Sequence, residues 1–260
     1  MSFNRDIQLD PNRVQTRSGG GRGAVIGGGS ILTVIAVVLI SQLTGVDLTS
    51  MLGAQQQTGT TTSTASSIDT SVCTSGDSAN KYTQCRMVAT AESLDAVWTE
   101  QLPAQAGIKY AKPEFVLWDG TQISSACGNA SSAVGPFYCS GDRTVYLDMS
   151  FFSEMERSLG AADTPLAEEY IVAHEFGHHI QHLTGQMAKA DRSGSGATSD
   201  SVRLELQADC YAGIWVNHAS STPDPDTGKP FLNRPSSEEI KGALSAAEAV
   251  GDDHIQERAK

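Results

Sequence analysis

The stretch Val172–His182, VAHEFGHHIQH, carries four of the chain's six histidines. His174 and His178 are four residues apart with Glu175 between them, the pattern H-E-x-x-H. On a helix, residues i and i+4 lie one above the other on one face. Two imidazoles so placed can bind one Zn2+, with a carboxylate beside the open coordination position. Geometry sorts the other histidines. His182 stands eight residues from His174, about 12 Å along a helix axis. An ion about 2 Å from each ligand cannot bridge that distance, so His182 reads as a surface residue or one that supports the ligands. His179 points about 100° away from His178 and is not read as a ligand. His218 and His254 have no metal-like spacing.

A catalytic zinc site needs three protein ligands and one open position. The segment RLELQADCYAGIW, Arg203–Trp215, offers Glu205 and Asp209, again four apart on one helical face. Glu205 is read as the third ligand. Asp209 would accept a hydrogen bond from the far nitrogen of a ligand histidine, fixing its tautomer and raising its basicity. Paired acids at this spacing are also common on solvated helices. Here they share a segment with apolar Leu204, Leu206, Ala208 and Trp215, which favours the site reading. Cys210 projects about 140° from Glu205 around a helix and is read as packed or paired.

The elements that must hold these residues can be read from local signals. Thr164-Pro165 is an N-cap followed by proline at the first helical position, and Gly185 is a stop, so a helix over 165–184 carries the first motif. A helix from about Ser201 to His218 carries the second, after a loop at 186–200 whose composition suits an idle linker better than a lid. Ser236-x-x-Glu239 is a capping box that opens a last helix to about Val250. Upstream, Met87, Ala91, Leu94, Trp98 and Leu102 recur at helical steps, predicting a helix over 79–101 that ends near Pro103. Glu114–Trp118 reads as a strand, and Phe137–Cys139 with Arg143–Met149 as a hairpin. A short helix follows over 152–159. Strands first and helices after make the fold class α+β, with a small antiparallel sheet and a helical C-terminal part.

The N-terminal region reads differently. Gly23–Val46 contains no charged residue, and Ala24–Leu43 is predominantly apolar. Twenty helical residues at about 1.5 Å each span roughly 30 Å, the thickness of a hydrocarbon core. The expected organisation is a cytoplasmic tail at 1–22, a transmembrane signal anchor at 23–46, a flexible stalk at 47–71 and a metal-binding domain at 72–260. Arginines in the tail orient the anchor by the positive-inside rule. Cleavage as a signal peptide is the alternative, but Leu52-Gly53-Ala54 has leucine where a small residue is wanted. Either reading puts the domain outside the cytoplasm, attached to the membrane by the N-terminal helix if the anchor is kept. Disulfides are expected there. Cys73 and Cys85, and Cys127 and Cys139, are each twelve apart; this local pairing is the simplest of the connectivities that five cysteines allow. A net charge of −12 argues against a nucleic-acid partner.

With these motifs in view, HEFGHHIQHLTG followed by ELQADCYAGIW resembles the bacterial family of membrane-anchored neutral zinc metallopeptidases. CG-x6-GPFYC at 127–139, VYLD at 145–148 and AVGDDHIQ at 249–256 extend the resemblance over about residues 72–260. It implies a zincin-like domain with one Zn2+ per chain, His174 and His178 as ligands, Glu175 as the catalytic carboxylate and Glu205 as the partner in the second motif. It further implies a peptide or protein substrate, held as an extended strand along a sheet edge, for which 143–149 is the expected strand. Tyr146 and Tyr211 are candidate oxyanion donors. As the family is known, its chains continue past the last helix into a Thr-His-Gly element and a Trp-Phe pair, which this sequence lacks. The rival functions are a zinc-stabilised envelope scaffold that hydrolyses nothing, and a zinc amidase acting on cell-wall peptides.

Overall fold

The computed structural model describes residues 2–18, 68–159, 164–191, 196 and 198–250. The expected anchor at 23–46 and most of the expected stalk lie outside the described residues, as does His254. Among the described residues no helix is long and apolar enough to cross a membrane.

Among the described residues six strands and seven helices follow one another: β1 (Gln15–Ser18), α1 (Gly76–Lys81), α2 (Thr83–Ala106), β2 (Glu114–Asp119), β3 (Gln122–Ser125), β4 (Gly128–Ser131), β5 (Phe137–Cys139), β6 (Thr144–Asp148), α3 (Phe151–Leu159), α4 (Pro165–Leu183), α5 (Gln186–Lys189), α6 (Asp200–Ala219) and α7 (Ser237–Val250). The main sheet has the order β1-β2-β6-β5, and β3 pairs with β4 in a separate ribbon. The expected hairpin is present, with β5 antiparallel to β6. The sheet as a whole is not antiparallel. β1, β2 and β6 run parallel to one another, because β2 reaches β6 through a crossover and β1 arrives from the far N-terminus. Strand patterning reveals which face is buried but not which neighbour is paired.

Alternation along β2 and β6 divides the packing between the two faces of the sheet. Phe115, Leu117, Val145 and Leu147 join the main core with the helices, while Val116, Trp118 and Tyr146 form a second cluster with Ile123 and Ala130. The helix predicted over 79–101 is two helices broken at Tyr82, and the second runs through Pro103 to end at Gly107, whose φ is +68°. Proline there removes one hydrogen bond but leaves the last turn intact. The left-handed glycine makes the stop. Both local disulfides are formed, Cys73–Cys85 and Cys127–Cys139. Each closes a short loop, contributing roughly 3 kcal/mol by constraining the unfolded chain.

The N-terminal segment is the largest departure from expectation. Residues 2–18 belong to the same folded unit as residues 68–250. Phe3, Ile7, Leu9 and Val14 are buried in the main core, and β1 pairs along β2 from Gln15 opposite Val116 to Ser18 opposite Asp119. Backbone bonds run from Asn4 to Phe231, from Leu9 to Thr74 and from Gly76 to Ile7. Gly76 has to be glycine, since a Cβ there would lie 1.8 Å from the Asn4 carbonyl oxygen. Arg13 makes a buried ion pair with Asp95 at 2.6 Å and lies over the Phe176 ring of α4. The segment is therefore part of the domain and not a separate tail. Its apolar residues are isolated between polar ones, a pattern that reads as solvated chain until a partner surface is known. The domain also begins earlier than position 72, with Ile68 packed against the core.

Candidate metal centre

α4 passes through the middle of the core. The Thr164 hydroxyl caps it by accepting from the Ala167 amide, and Pro165 occupies the first turn. Ala173, Phe176 and Ile180 are buried, Phe176 edge-on to Phe115 of β2. The opposite face of α4 carries His174 and His178 towards α6. α6 starts at a Ser199 cap that accepts from the Val202 amide. It buries Leu204, Ala208, Ala212 and Trp215, while Leu206 is exposed. The two helices meet at small residues. A Cβ on Gly177 would lie 2.8 Å from the Ala208 carbonyl oxygen, so only glycine permits this approach.

That approach brings the predicted ligands together. His174 Nε2 is 3.2 Å and His178 Nε2 is 3.3 Å from the same oxygen, Glu205 Oε2. The three ligand atoms all lie within 4.8 Å of one another, and among the described residues no other group of metal-ligating side chains is so placed. A tetrahedral ion with bonds of about 2.0–2.1 Å holds its ligand atoms roughly 3.3 Å apart. The donor set and its spacing fit zinc.

The surrounding bonds fix which nitrogen faces the site. Asp209 Oδ1 lies 2.8 Å from His174 Nδ1 and also accepts from the Tyr170 hydroxyl at 3.1 Å. A carboxylate accepts, so His174 carries a proton on Nδ1 and turns its Nε2 towards Glu205. His178 Nδ1 is 2.9 Å from Gln181 Oε1. Asp209 thus takes the place expected of it, while Tyr170 and Gln181 were missed. Helical spacing could have found both, one four residues before His174 and the other three after His178.

Electrostatics follow from this crowding. Burial opposes charge on His174, but hydrogen bonds to Asp209 and Glu205 outweigh it and raise its pKa to about 10. His178 is raised in the same way, against burial, by Glu205 and then Glu175. Burial would raise Glu205, yet its bonds to His174 and His178 bring it down to about 2. A cation bound by the same three side chains would compete with protons for these atoms. Glu175 is also buried, one residue along from His174, and its charge contributes to both histidine shifts.

The remaining candidates separate cleanly. His179 is not a ligand: its Nε2 donates to the Ala111 carbonyl at 2.6 Å and its Nδ1 accepts from the Tyr138 hydroxyl at 2.9 Å. Burial first of all holds it neutral, down to about 4. It pins α4 to β5. His182 lies near His179 and Tyr138, outside the ligand set. Tyr146 donates to Asp142 on the far side of the sheet, and Tyr211 packs edge-on against Trp98. Tyr146 is therefore not placed as an oxyanion donor. Cys210, expected to be packed or paired, is a free, exposed thiol. The strand expected to offer an edge, now β6, is flanked by β2 and β5 and fully buried. The edge strand on the α4 side is β5, and among the described residues its backbone makes no ladder beyond that with β6.

Comparison with known proteins agrees with this centre. A family model described as "Putative neutral zinc metallopeptidase" matches residues 6–260. The chain is 46% identical over 218 residues to the uncharacterised protein Rv2575 of Mycobacterium tuberculosis, covering 84% of this chain and 72% of that one. It is 36% identical over 241 residues to the uncharacterised protein YpfJ of Escherichia coli K12, covering 90% and 74%. No solved structure matches.

Proposed function

The chain belongs to the neutral zinc metallopeptidase family, and on that premise we propose that it is an endopeptidase that cleaves peptide bonds outside the cytoplasm. The observation that carries the proposal is one carboxylate oxygen, Glu205 Oε2, shared between the Nε2 atoms of two histidines, with the charge of Glu175 alongside. Zinc held by His174, His178 and Glu205 would lower the pKa of a water and polarise the scissile carbonyl. Glu175 then takes the proton of the attacking water and delivers it to the leaving amine. Asp209 and Tyr170 hold His174 in the tautomer that keeps Nε2 available. β5, pinned beside α4 by the Tyr138–His179 bond, supports an extended peptide through its free edge. The two disulfides support an oxidising compartment.

The test begins with zinc per chain in the full protein made without a histidine tag. About one equivalent is expected, retained in Glu175→Gln. Hydrolysis of an unfolded protein substrate should fall by roughly 10²- to 10⁴-fold in that variant. A variant that cleaves like the wild type would remove Glu175 from the mechanism. A zinc-loaded wild type that cleaves neither unfolded proteins nor cell-wall peptides would favour the scaffold reading, and cleavage of the latter alone would favour the amidase.

A further inference from the structure

Gln181 is fully buried between α4 and α6, and both ends of its amide are engaged. Its Nε2 donates to the Leu204 carbonyl at 2.5 Å. A carbonyl can only accept, so this bond fixes the orientation of the amide and leaves Oε1 towards His178 Nδ1 at 2.9 Å. Oε1 can only accept in turn, so His178 carries a proton on Nδ1 and turns its Nε2 towards Glu205 Oε2, 3.3 Å away. Leu204 is the residue before Glu205 on α6. One amide therefore touches the ring of one ligand and the backbone that seats another.

We propose that Gln181 is a positioning residue of the metal centre, setting the donor nitrogen of His178 and the approach of Glu205 together. The proposal rests on His174, His178 and Glu205 being the zinc ligands. It gives His178 the orienting partner that Asp209 gives His174. The two devices differ in kind: Asp209 comes from α6 and brings charge, whereas Gln181 comes from α4 itself, is neutral, and ties the two helices at the level of the site.

The full-length protein tests this through zinc affinity, measured by competition with a chelator, and through the melting temperature of the zinc-free form. Gln181→Met keeps the length of the side chain and loses both bonds. It should weaken zinc binding by about 10- to 100-fold. Gln181→Glu keeps an acceptor for the His178 N–H but has no donor for Leu204. It should recover part of the zinc affinity while its zinc-free form melts no higher than that of Gln181→Met. Affinity within about twofold of wild type in Gln181→Met, or no recovery in Gln181→Glu, overturns the proposal. If Gln181→Met does not fold, long-range proton–nitrogen correlation on the zinc-loaded wild type decides. Coordination of His178 through Nε2 with a protected Nδ1–H supports the assignment, and coordination through Nδ1 overturns it. A wild type that binds no zinc sinks the reading of the site itself. A zinc-binding wild type with unchanged Gln181 variants sinks only this inference.

Discussion

Asp209 receives two donors from α4, the His174 N–H and the Tyr170 hydroxyl, on a single oxygen. Truncating it leaves the imidazole free to rotate and less basic. Asp209→Ala is therefore expected to lower zinc affinity by about 10- to 100-fold, read by the same chelator competition, with Tyr170→Phe costing less because it only steadies the carboxylate. Equal affinities in Asp209→Ala and wild type would contradict the role. Glu169 shows the opposite kind of carboxyl. It is fully buried, neither oxygen has a hydrogen-bond partner among the described residues, and burial above all pushes its pKa from an ordinary 4.5 up to about 8. Between those values the folded chain keeps a proton that the unfolded chain has released, so stability falls as pH rises through this window. Melting temperatures of wild type should drop relative to Glu169→Gln as pH is raised from 5 to 8. Parallel profiles would show that Glu169 titrates normally.

At the scale of elements, the centre depends on how closely α4 and α6 approach. Gly177 against Ala208 sets that distance, and the caps at Thr164 and Ser199 set where each helix begins. A methyl group at position 177 meets backbone, which cannot turn aside as a long side chain would. Gly177→Ala should cost about 1–3 kcal/mol through overpacking and should weaken zinc binding by separating Glu205 from the histidines. Thermal unfolding of the zinc-free protein and zinc titration together check both halves. A stable variant with unchanged affinity would mean that α6 can shift without moving Glu205. The order of the sheet, in turn, is why β6 cannot offer a substrate edge. The parallel sheet places β6 inside and leaves β5 beside α4.

At the scale of the whole molecule, residues 2–18 complete the domain. They supply an edge strand, a row of buried apolar side chains, and Arg13 bridging Asp95 of α2 to Phe176 of α4. If the cell contains this fold, an exposed residue in that segment and the exposed Cys210 thiol face the same compartment. A cysteine at exposed Asn12, in a Cys210→Ser background, should react with a membrane-impermeant thiol reagent on intact cells whenever Cys210 of the wild type does. Permeabilised cells supply the control. Labelling from opposite sides would show that β1 is not seated in the cell and would favour a single crossing between the two segments.

How much of this was legible in advance depends on whether the determining interactions are local. The spacing of His174, Glu175 and His178 on one helix, the facing pair Glu205 and Asp209, the caps and glycine stops, and the β5–β6 hairpin are all short-range patterns. The backbone periods of 3.6 and 2 translate them directly into geometry. The sequence by itself therefore determined the candidate ligand types, the helices that carry them and the family resemblance. The tertiary structure alone decided that three ligand atoms from two helices converge, that Gln181 and Tyr170 stand behind the histidines, that the sheet is mainly parallel and that the N-terminal segment is core. Each of those is a pairing between segments distant in the chain. Such pairings depend on which surfaces fit when the apolar area is buried, and no local period records that choice.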